Sequence, residues 1–188
     1  MDRLRPSGGP TPRRVSVVGN SGSGKSTLAR AIAVRLGVPH VEMDALFHQP
    51  GWRELPAEEF RAVVAAAAAE PAWVIDGNYN AVREVIWEQA DTVVWLDLPR
   101  RVVMRQVTGR TLRRVVLRTE LWNGNREPWS NVLSLDPQRS IVAWAWTNHV
   151  KYHDRYLAAT ADVRWAHLRF VRLRGRHEVE VWLNALVA

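Results

Sequence analysis

Arg14-Val15-Ser16-Val17-Val18-Gly19-Asn20-Ser21-Gly22-Ser23-Gly24-Lys25-Ser26-Thr27 is the stretch that decides the reading of this 188-residue chain. The β-branched run Arg14–Val18 predicts a strand. From Gly24 the pattern turns helical: Leu28, Ile32 and Leu36 share one face, and Gly37 followed by Pro39 stops the helix. Between strand and helix, Gly19–Ser26 fits G-x-x-x-x-G-K-[ST], with the flanking elements that this pattern requires. Gly19, Gly22 and Gly24 let the backbone curl so that successive N–H groups point at phosphate oxygens. The loop opens onto a helix N-terminus, where the dipole favours anions. The expected phosphate-binding set is Gly19, Asn20, Ser21, Gly22, Ser23, Gly24, Lys25, Ser26 and Thr27. Lys25 reaches the outer phosphates as a point charge, and Ser26 offers its hydroxyl to Mg²⁺.

Outward from this stretch, strands and helices alternate. Strands are predicted at His40–Met43, Ala72–Ile75, Thr92–Leu96 and His167–Leu173. Helices are predicted at Ala57–Glu70, Ala81–Gln89, Arg100–Arg118, Ser140–Ala159 and from Gly175 through Val187. Ala45–Pro56 and Leu121–Pro137 read as loops. Strands apolar on both faces and separated by helices specify an α/β fold, a three-layer, doubly wound parallel sheet of five strands. Residues 1–13, rich in Pro, Gly and Arg, read as a disordered lead-in to one domain over 14–188.

Composition narrows the function classes. The chain has no cysteine, which excludes a disulfide scaffold, a thiolate metal site and a thiol nucleophile, and is compatible with the cytoplasm. No apolar run is long enough to cross a bilayer, so no membrane association is expected. Of the 26 basic residues only Lys25 and Lys151 are lysine. Residues 1–99 carry 10 basic and 12 acidic groups, whereas residues 100–188 carry 16 and 7. The basic half implies an anionic partner, nucleotide phosphates or nucleic acid. The 10 tryptophans are an excess that composition does not explain.

Four motifs carry a resemblance: Gly19–Ser26, Asp44 with Pro50-Gly51-Trp52, Asp76-Gly77-Asn78-Tyr79, and Leu96-Asp97-Leu98-Pro99. In this order they resemble the adenylate-kinase-like, or nucleoside-monophosphate-kinase-like, branch of P-loop proteins. More narrowly they resemble the bacterial DNA topology modulation proteins, over residues 14–175. The resemblance implies ATP and Mg²⁺ as cofactors, a small-molecule acceptor and an arginine-rich lid at about 112–138. The expected activity is phosphoryl transfer.

Each strand end then offers a candidate. A carboxylate at the end of the third strand can hold Mg²⁺ through water, and the resembling kinases have an Asp-Gly there, so Asp76 is favoured over Asp97 as the metal partner of Ser26. Asp44 ends the second strand, where resembling kinases use an Asp to contact the acceptor hydroxyl; it can orient that hydroxyl and take its proton, or it can simply cap a loop. Monophosphate kinases carry an arginine soon after the Asp-Gly. Here Asn78-Tyr79-Asn80 follows, suited to a neutral polar ligand, and turn duty for Asn78 is equally open. Trp52 can stack on an acceptor ring, though core filling is the favoured reading. The helix Arg100–Arg118 has seven arginines and no acid. Within it the resemblance assigns Arg110 to the nucleotide and the transferring phosphate, and Arg114 and Arg118 to the lid. Arg176 is matched to the loop flanking the adenine. His149 and His153 share a helix face, but no third metal ligand accompanies them. A nucleotide-regulated protein bound to DNA or RNA, and an ATPase without an acceptor, are the alternative functions. Oligomeric state, monomer or homodimer, is open.

Overall fold

The computed structural model describes residues 10–127, 129, 136 and 140–186. Most of the expected lead-in, residues 1–9, and Val187 lie outside the described residues. The strands are β1 (Arg14–Gly19), β2 (His40–Glu42), β3 (His48–Gln49), β4 (Arg53–Glu54), β5 (Trp73–Asp76), β6 (Thr92–Leu96) and β7 (Arg169–Leu173). The helices are α1 (Lys25–Leu36), α2 (Met43–Phe47), α3 (Ala57–Ala69), α4 (Asn80–Gln89), α5 (Arg100–Val116), α6 (Ile141–Ala161) and α7 (Arg176–Ala185). Five strands form one parallel sheet in the order β2-β5-β1-β6-β7. The expected architecture is present, with β1 at the sheet centre.

Alternation along each strand divides the core into two layers. Val15, Val17, Val74, Val94 and Val171 pack with Leu28, Ile32, Trp182 and Leu183 of α1 and α7. Ile75, Val93, Trp95 and Phe170 face the other way, against Phe60, Val64, Ile86 and Tyr156 of α3, α4 and α6. Much of the tryptophan excess belongs here: Trp73, Trp87, Trp95, Trp165 and Trp182 are buried. Burying an indole N–H requires a partner; Trp87 donates to Ser16 Oγ at 3.2 Å and Trp73 to the Ala68 carbonyl at 3.0 Å. A smaller cluster of Leu98, Val103, Val107 and Ala145 joins α5 to α6. No helix among the described residues is long and apolar enough to cross a membrane.

The main local departure lies between Met43 and Pro56. Strand β2 ends at Glu42, one residue short of the expectation, because its pairing partner β5 ends at Asp76 directly opposite. Met43, left without a ladder, starts α2. The expected loop contains a miniature antiparallel hairpin, β3–β4, around a turn at Pro50–Trp52. Trp52 itself stands at φ 58, a left-handed conformation in which a bulky side chain is a strained outlier.

Candidate functional site

The carboxyl ends of β1, β2, β5 and β6 open into a cleft of about 1820 Å³, walled also by α5, α7, the β3–β4 hairpin and residues 120–127. Gly24 caps α1 in the left-handed region at φ 93, with open space where a Cβ would point. The first amides of α1, which lack intrahelical partners, therefore face the cleft. At Gly22 (φ 81) a Cβ would lie 2.6 Å from Val107 Cβ, so α5 presses directly on the loop. Ser21 to Thr27 all line the cleft. Ser23 Oγ is buried there without a hydrogen-bond partner among the described residues, as a cradle awaiting an acceptor oxygen would be. Gly19 and Asn20 lie behind this wall. Asn20 donates from Nδ2 to the Ala145 carbonyl at 2.8 Å and so moors the loop to α6.

Lys25 crosses the loop and donates from Nζ to the Asn20 carbonyl at 3.2 Å. Burial pushes its pKa below the usual lysine value; Asp44 and Asp76 pull it back up, and Arg110 lowers it further. Arg110 is half-buried on α5, lines the cleft, and leaves its Nε without a partner among the described residues. Its pKa is also lowered, mainly by burial and next by Arg114. Arg114 lines the cleft and meets Glu127 Oε1 at 3.5 Å. The structure thus gathers Lys25, Arg110 and Arg114 on one wall.

It does not bring Arg118 there. Arg118 follows the end of α5 at φ 47, is exposed, and is absent from the cleft wall. Arg176 reaches only the rim: its side chain is 92% exposed and pairs with Glu180 at 2.9 Å. Of the span expected as a lid, residues 112–116 continue α5 and 120–127 form a folded segment. Residues 128, 130–135 and 137–139 lie outside the described residues.

The carboxylates are distributed differently from the expectation. Asp76 is 2% exposed, and its Oδ2 meets His40 Nε2 at 3.2 Å. It is close enough to bias Lys25 but does not line the cleft. Ser26 Oγ instead donates to Glu42 Oε1 at 3.0 Å, and both line the cleft. The sequence reading missed Glu42. Its signal was available: an acid two residues before Asp44, ending a strand in register with Asp76. Asp97 accepts from Arg172 Nε at 2.9 Å and meets His153 Nδ1 at 3.0 Å, which ties β6 to β7 and α6. His149 Nε2 meets the Leu98 carbonyl at 3.0 Å, so both candidate histidines are engaged with the β6–α5 junction.

Asp44 sits in the first turn of α2 and faces the cleft, its Oδ1 accepting from the Tyr79 hydroxyl at 2.7 Å. Burial, and then Asp44 itself, hold the Tyr79 phenol far above its usual pKa, so it stays a donor. Asn78 lines the cleft and braces the turn. Its Oδ1 accepts from the Gly19 amide at 3.3 Å and the Tyr156 hydroxyl at 2.9 Å, and its Nδ2 donates to the Gly19 carbonyl. Trp52 corrects the core-filling expectation: its ring lies edge-on to His48 at 5.3 Å in the cleft wall, and its Nε1 donates to the Arg126 carbonyl at 3.1 Å.

Known proteins are similar to parts of this chain. The family model described as "ATPase family associated with various cellular activities (AAA)" matches residues 15–97, the span from β1 through Asp97. A shikimate kinase of Synechococcus elongatus is 28% identical over 136 residues, 61% of this chain and 71% of that protein. One of Nitratidesulfovibrio vulgaris is 33% identical over 105 residues, 48% of this chain and 60% of that protein. The shikimate kinase of Acinetobacter baumannii, solved in complex with shikimate, superposes with a TM-score of 0.58 over 94% of this chain and 92% of that one, at 16% identity; that likeness is one of fold. The fold is that of P-loop kinases. One end of the cleft is the loop with Lys25, Arg110 and Arg114, and the other is formed by α2, the hairpin and residues 120–127.

Proposed function

We propose that the protein transfers the terminal phosphoryl group of ATP, with Mg²⁺, to a hydroxyl of a small molecule at Asp44. The observation that carries this is the convergence of Lys25, Ser26, Asp44 and Arg110 on one cleft. Loop amides and Lys25 bind the phosphates; Arg110 and Arg114 meet the charge that develops on the moving group. Asp44 Oδ1 is occupied by Tyr79, which leaves Oδ2 to orient the acceptor hydroxyl. The hydroxyl oxygen bonds to the γ-phosphorus, the bond from γ-phosphorus to the β,γ-bridging oxygen breaks, ADP leaves with that electron pair, and the hydroxyl proton passes to Asp44. Ser26 and Glu42, a hydroxyl and a carboxylate of the kind Mg²⁺ prefers, are the residues that would hold the metal, with Asp76 behind them. When bound, Mg²⁺ supplies neutralisation of phosphate charge. We assign Arg176 to the rim near the nucleotide base and give Arg118 no role. A cytoplasmic setting fits a chain with no cysteine.

The narrower resemblance to DNA topology modulation proteins is carried by the four motifs alone. One observation favours the nucleic-acid reading: Arg101, Arg105 and Arg113 line a shallow depression of about 810 Å³ along α5. Absence of a DNA mobility shift at low salt removes that reading. The principal test is ADP release: the right acceptor accelerates it, and Lys25→Ala abolishes the acceleration. A broad acceptor panel that never lifts ADP release above background refutes phosphoryl transfer.

A further inference from the structure

The cleft's charges are grouped by the elements that carry them. Its cations, Lys25, Arg30, Arg110, Arg114, Arg174 and Arg176, belong to the loop, α1, α5 and the β7–α7 end. Its anions belong to other elements, Glu42 and Asp44 to β2 and α2, Glu54 to the hairpin, and Glu120 and Glu127 to the segment that follows α5, with Glu42 meeting Ser26 and Glu127 meeting Arg114. Among the described residues, and beyond the arginines of α5, no lysine or arginine of the end formed by α2, the hairpin and residues 120–127, the acceptor end, lines the cleft. An acceptor carrying a carboxylate would meet like charge there.

Aromatic rings stand among those acids. His48 stacks on Trp122 with centroids 5.9 Å apart, and Trp52 closes on the other edge of His48. The strained backbone of Trp52 is held by its amide donating to Asn125 Oδ1 at 2.9 Å, which fixes the ring in the wall. Strain of this kind is tolerated where a side chain must be aimed. A second observation points to a missing donor. The Glu127 side chain is only 11% exposed, its Oε1 is 3.5 Å from Arg114, and its Oε2 is buried without a partner among the described residues. A carboxylate oxygen only accepts, so the group that completes it must carry N–H or O–H. Arg114 already stands over Trp122 at 5.8 Å and on Glu127 Oε1, so Glu127 Oε2 and the Trp52 side are what remain for a further cation, and an ammonium group favours a carboxylate oxygen near an aromatic ring.

We propose that the acceptor is a hydroxyl compound bearing an ammonium group, an amino sugar or amino alcohol, with its hydroxyl at Asp44 and its cation among Trp52, Trp122, Glu54 and Glu127. The proposal rests on the phosphotransferase reading: the bonds formed and broken are those given above, and the ammonium group takes no part in the transfer.

Two matched trios test it on the full chain with ATP and Mg²⁺: glucosamine, glucose and gluconate, and serinol, glycerol and glycerate. ADP release is followed by a coupled assay, the product by phosphorus NMR, and binding by thermal shift with ADP present. The amine of each trio should show a KM about tenfold or more below its neutral counterpart. Glu127→Gln, with a melting temperature close to wild type, should raise the amine's KM by a clearly larger factor than the neutral compound's. Turnover of the neutral or carboxylate members in preference to the amines overturns the acceptor class and leaves phosphoryl transfer standing. Binding of the amines without turnover keeps the ligand class and overturns the transfer. A panel with neither binding nor turnover overturns both, as does a Glu127→Gln effect equal across each trio for the ammonium contact.

Discussion

Asn78→Ala is the substitution that asks most of the structure. Its amide joins the end of β5 to the start of the phosphate loop through both backbone groups of Gly19, and to α6 through the Tyr156 hydroxyl. Alanine removes all three contacts and leaves Gly19 N–H, Gly19 C=O and a buried phenol to find other partners. At about 0.5–1.5 kcal/mol for each neutral bond, the loss is about 3 kcal/mol. For a chain of this length that corresponds to a melting temperature lower by about 6–12 °C. Tyr156→Phe removes only one of the contacts and should cost about 1 kcal/mol. Because both substitutions break the same bond, the double variant should lose less than the sum of the singles. Thermal and urea unfolding of the four proteins measures this, with ADP affinity as the functional readout, since the loop rests on the same contacts. An Asn78→Ala protein melting within about 2 °C of wild type, or strict additivity with Tyr156→Phe, refutes the reading of Asn78 as the brace of the loop.

Asp44→Asn retains an oxygen for Tyr79 but loses the base, so kcat should fall by about 10²–10⁴ with little change in the KM for ATP; an unchanged kcat removes Asp44 from the transfer. Glu42→Gln keeps an acceptor for Ser26 Oγ and loses the charge, so about tenfold more Mg²⁺ should be needed for half-maximal rate; an unchanged Mg²⁺ titration returns the metal to Asp76. Lys25 has a pKa lowered in the fold from 10.5, so the unfolded chain binds more protons between the lowered value and 10.5, and stability without nucleotide should rise with pH across that window. The same proton is needed for phosphate, so nucleotide affinity should fall as pH rises through the lowered pKa. Both dependences, read by calorimetry, should vanish in Lys25→Met.

The loop end of the cleft was legible because its geometry is local. Gly22, Gly24, Lys25 and Ser26 act through the conformation of one short loop, and the strand and helix that present it are written beside it. The sheet was legible for the same reason: each strand's apolar run and its turn signal lie within a few residues. Asp97 shows the limit. A strand-ending carboxylate reads alike whether it faces a ligand or, as here, Arg172 and His153 from elements far along the chain. Glu42 and Asp76 show it again, since which of two acids in register turns toward Ser26 depends on His40 taking the other. Arg118 was expected at the lid from a helix extended through it, but α5 ends at Val116 and a left-handed turn sends the side chain to solvent.

The acceptor end was the least legible because neither of its two segments forms a wall alone. Residues 43–54 and 120–127 meet through polar contacts: Asn123 Nδ2 donates to the Ala45 and His48 carbonyls at 3.1 and 2.6 Å, and Asn125 Nδ2 donates to the Gln49 carbonyl at 3.0 Å. Asn125 Oδ1 in turn accepts from the Trp52 amide, and this contact offsets about 1–3 kcal/mol of backbone strain at Trp52. Asn125→Ala removes that support, so Trp52 should relax out of the left-handed region and swing its ring from His48. The consequence is selective. The acceptor's KM should rise several-fold or more, while the KM for ATP, set by a loop that Asn125 does not touch, stays as it was. Hydrogen exchange at the Trp52 amide gives a readout that needs no acceptor: slow in the wild type, fast in the variant. If that amide stays protected in Asn125→Ala and the acceptor's KM is unmoved, the two segments are not held as one wall by these contacts. The aromatic surroundings proposed for the acceptor's cation would then lose their structural support.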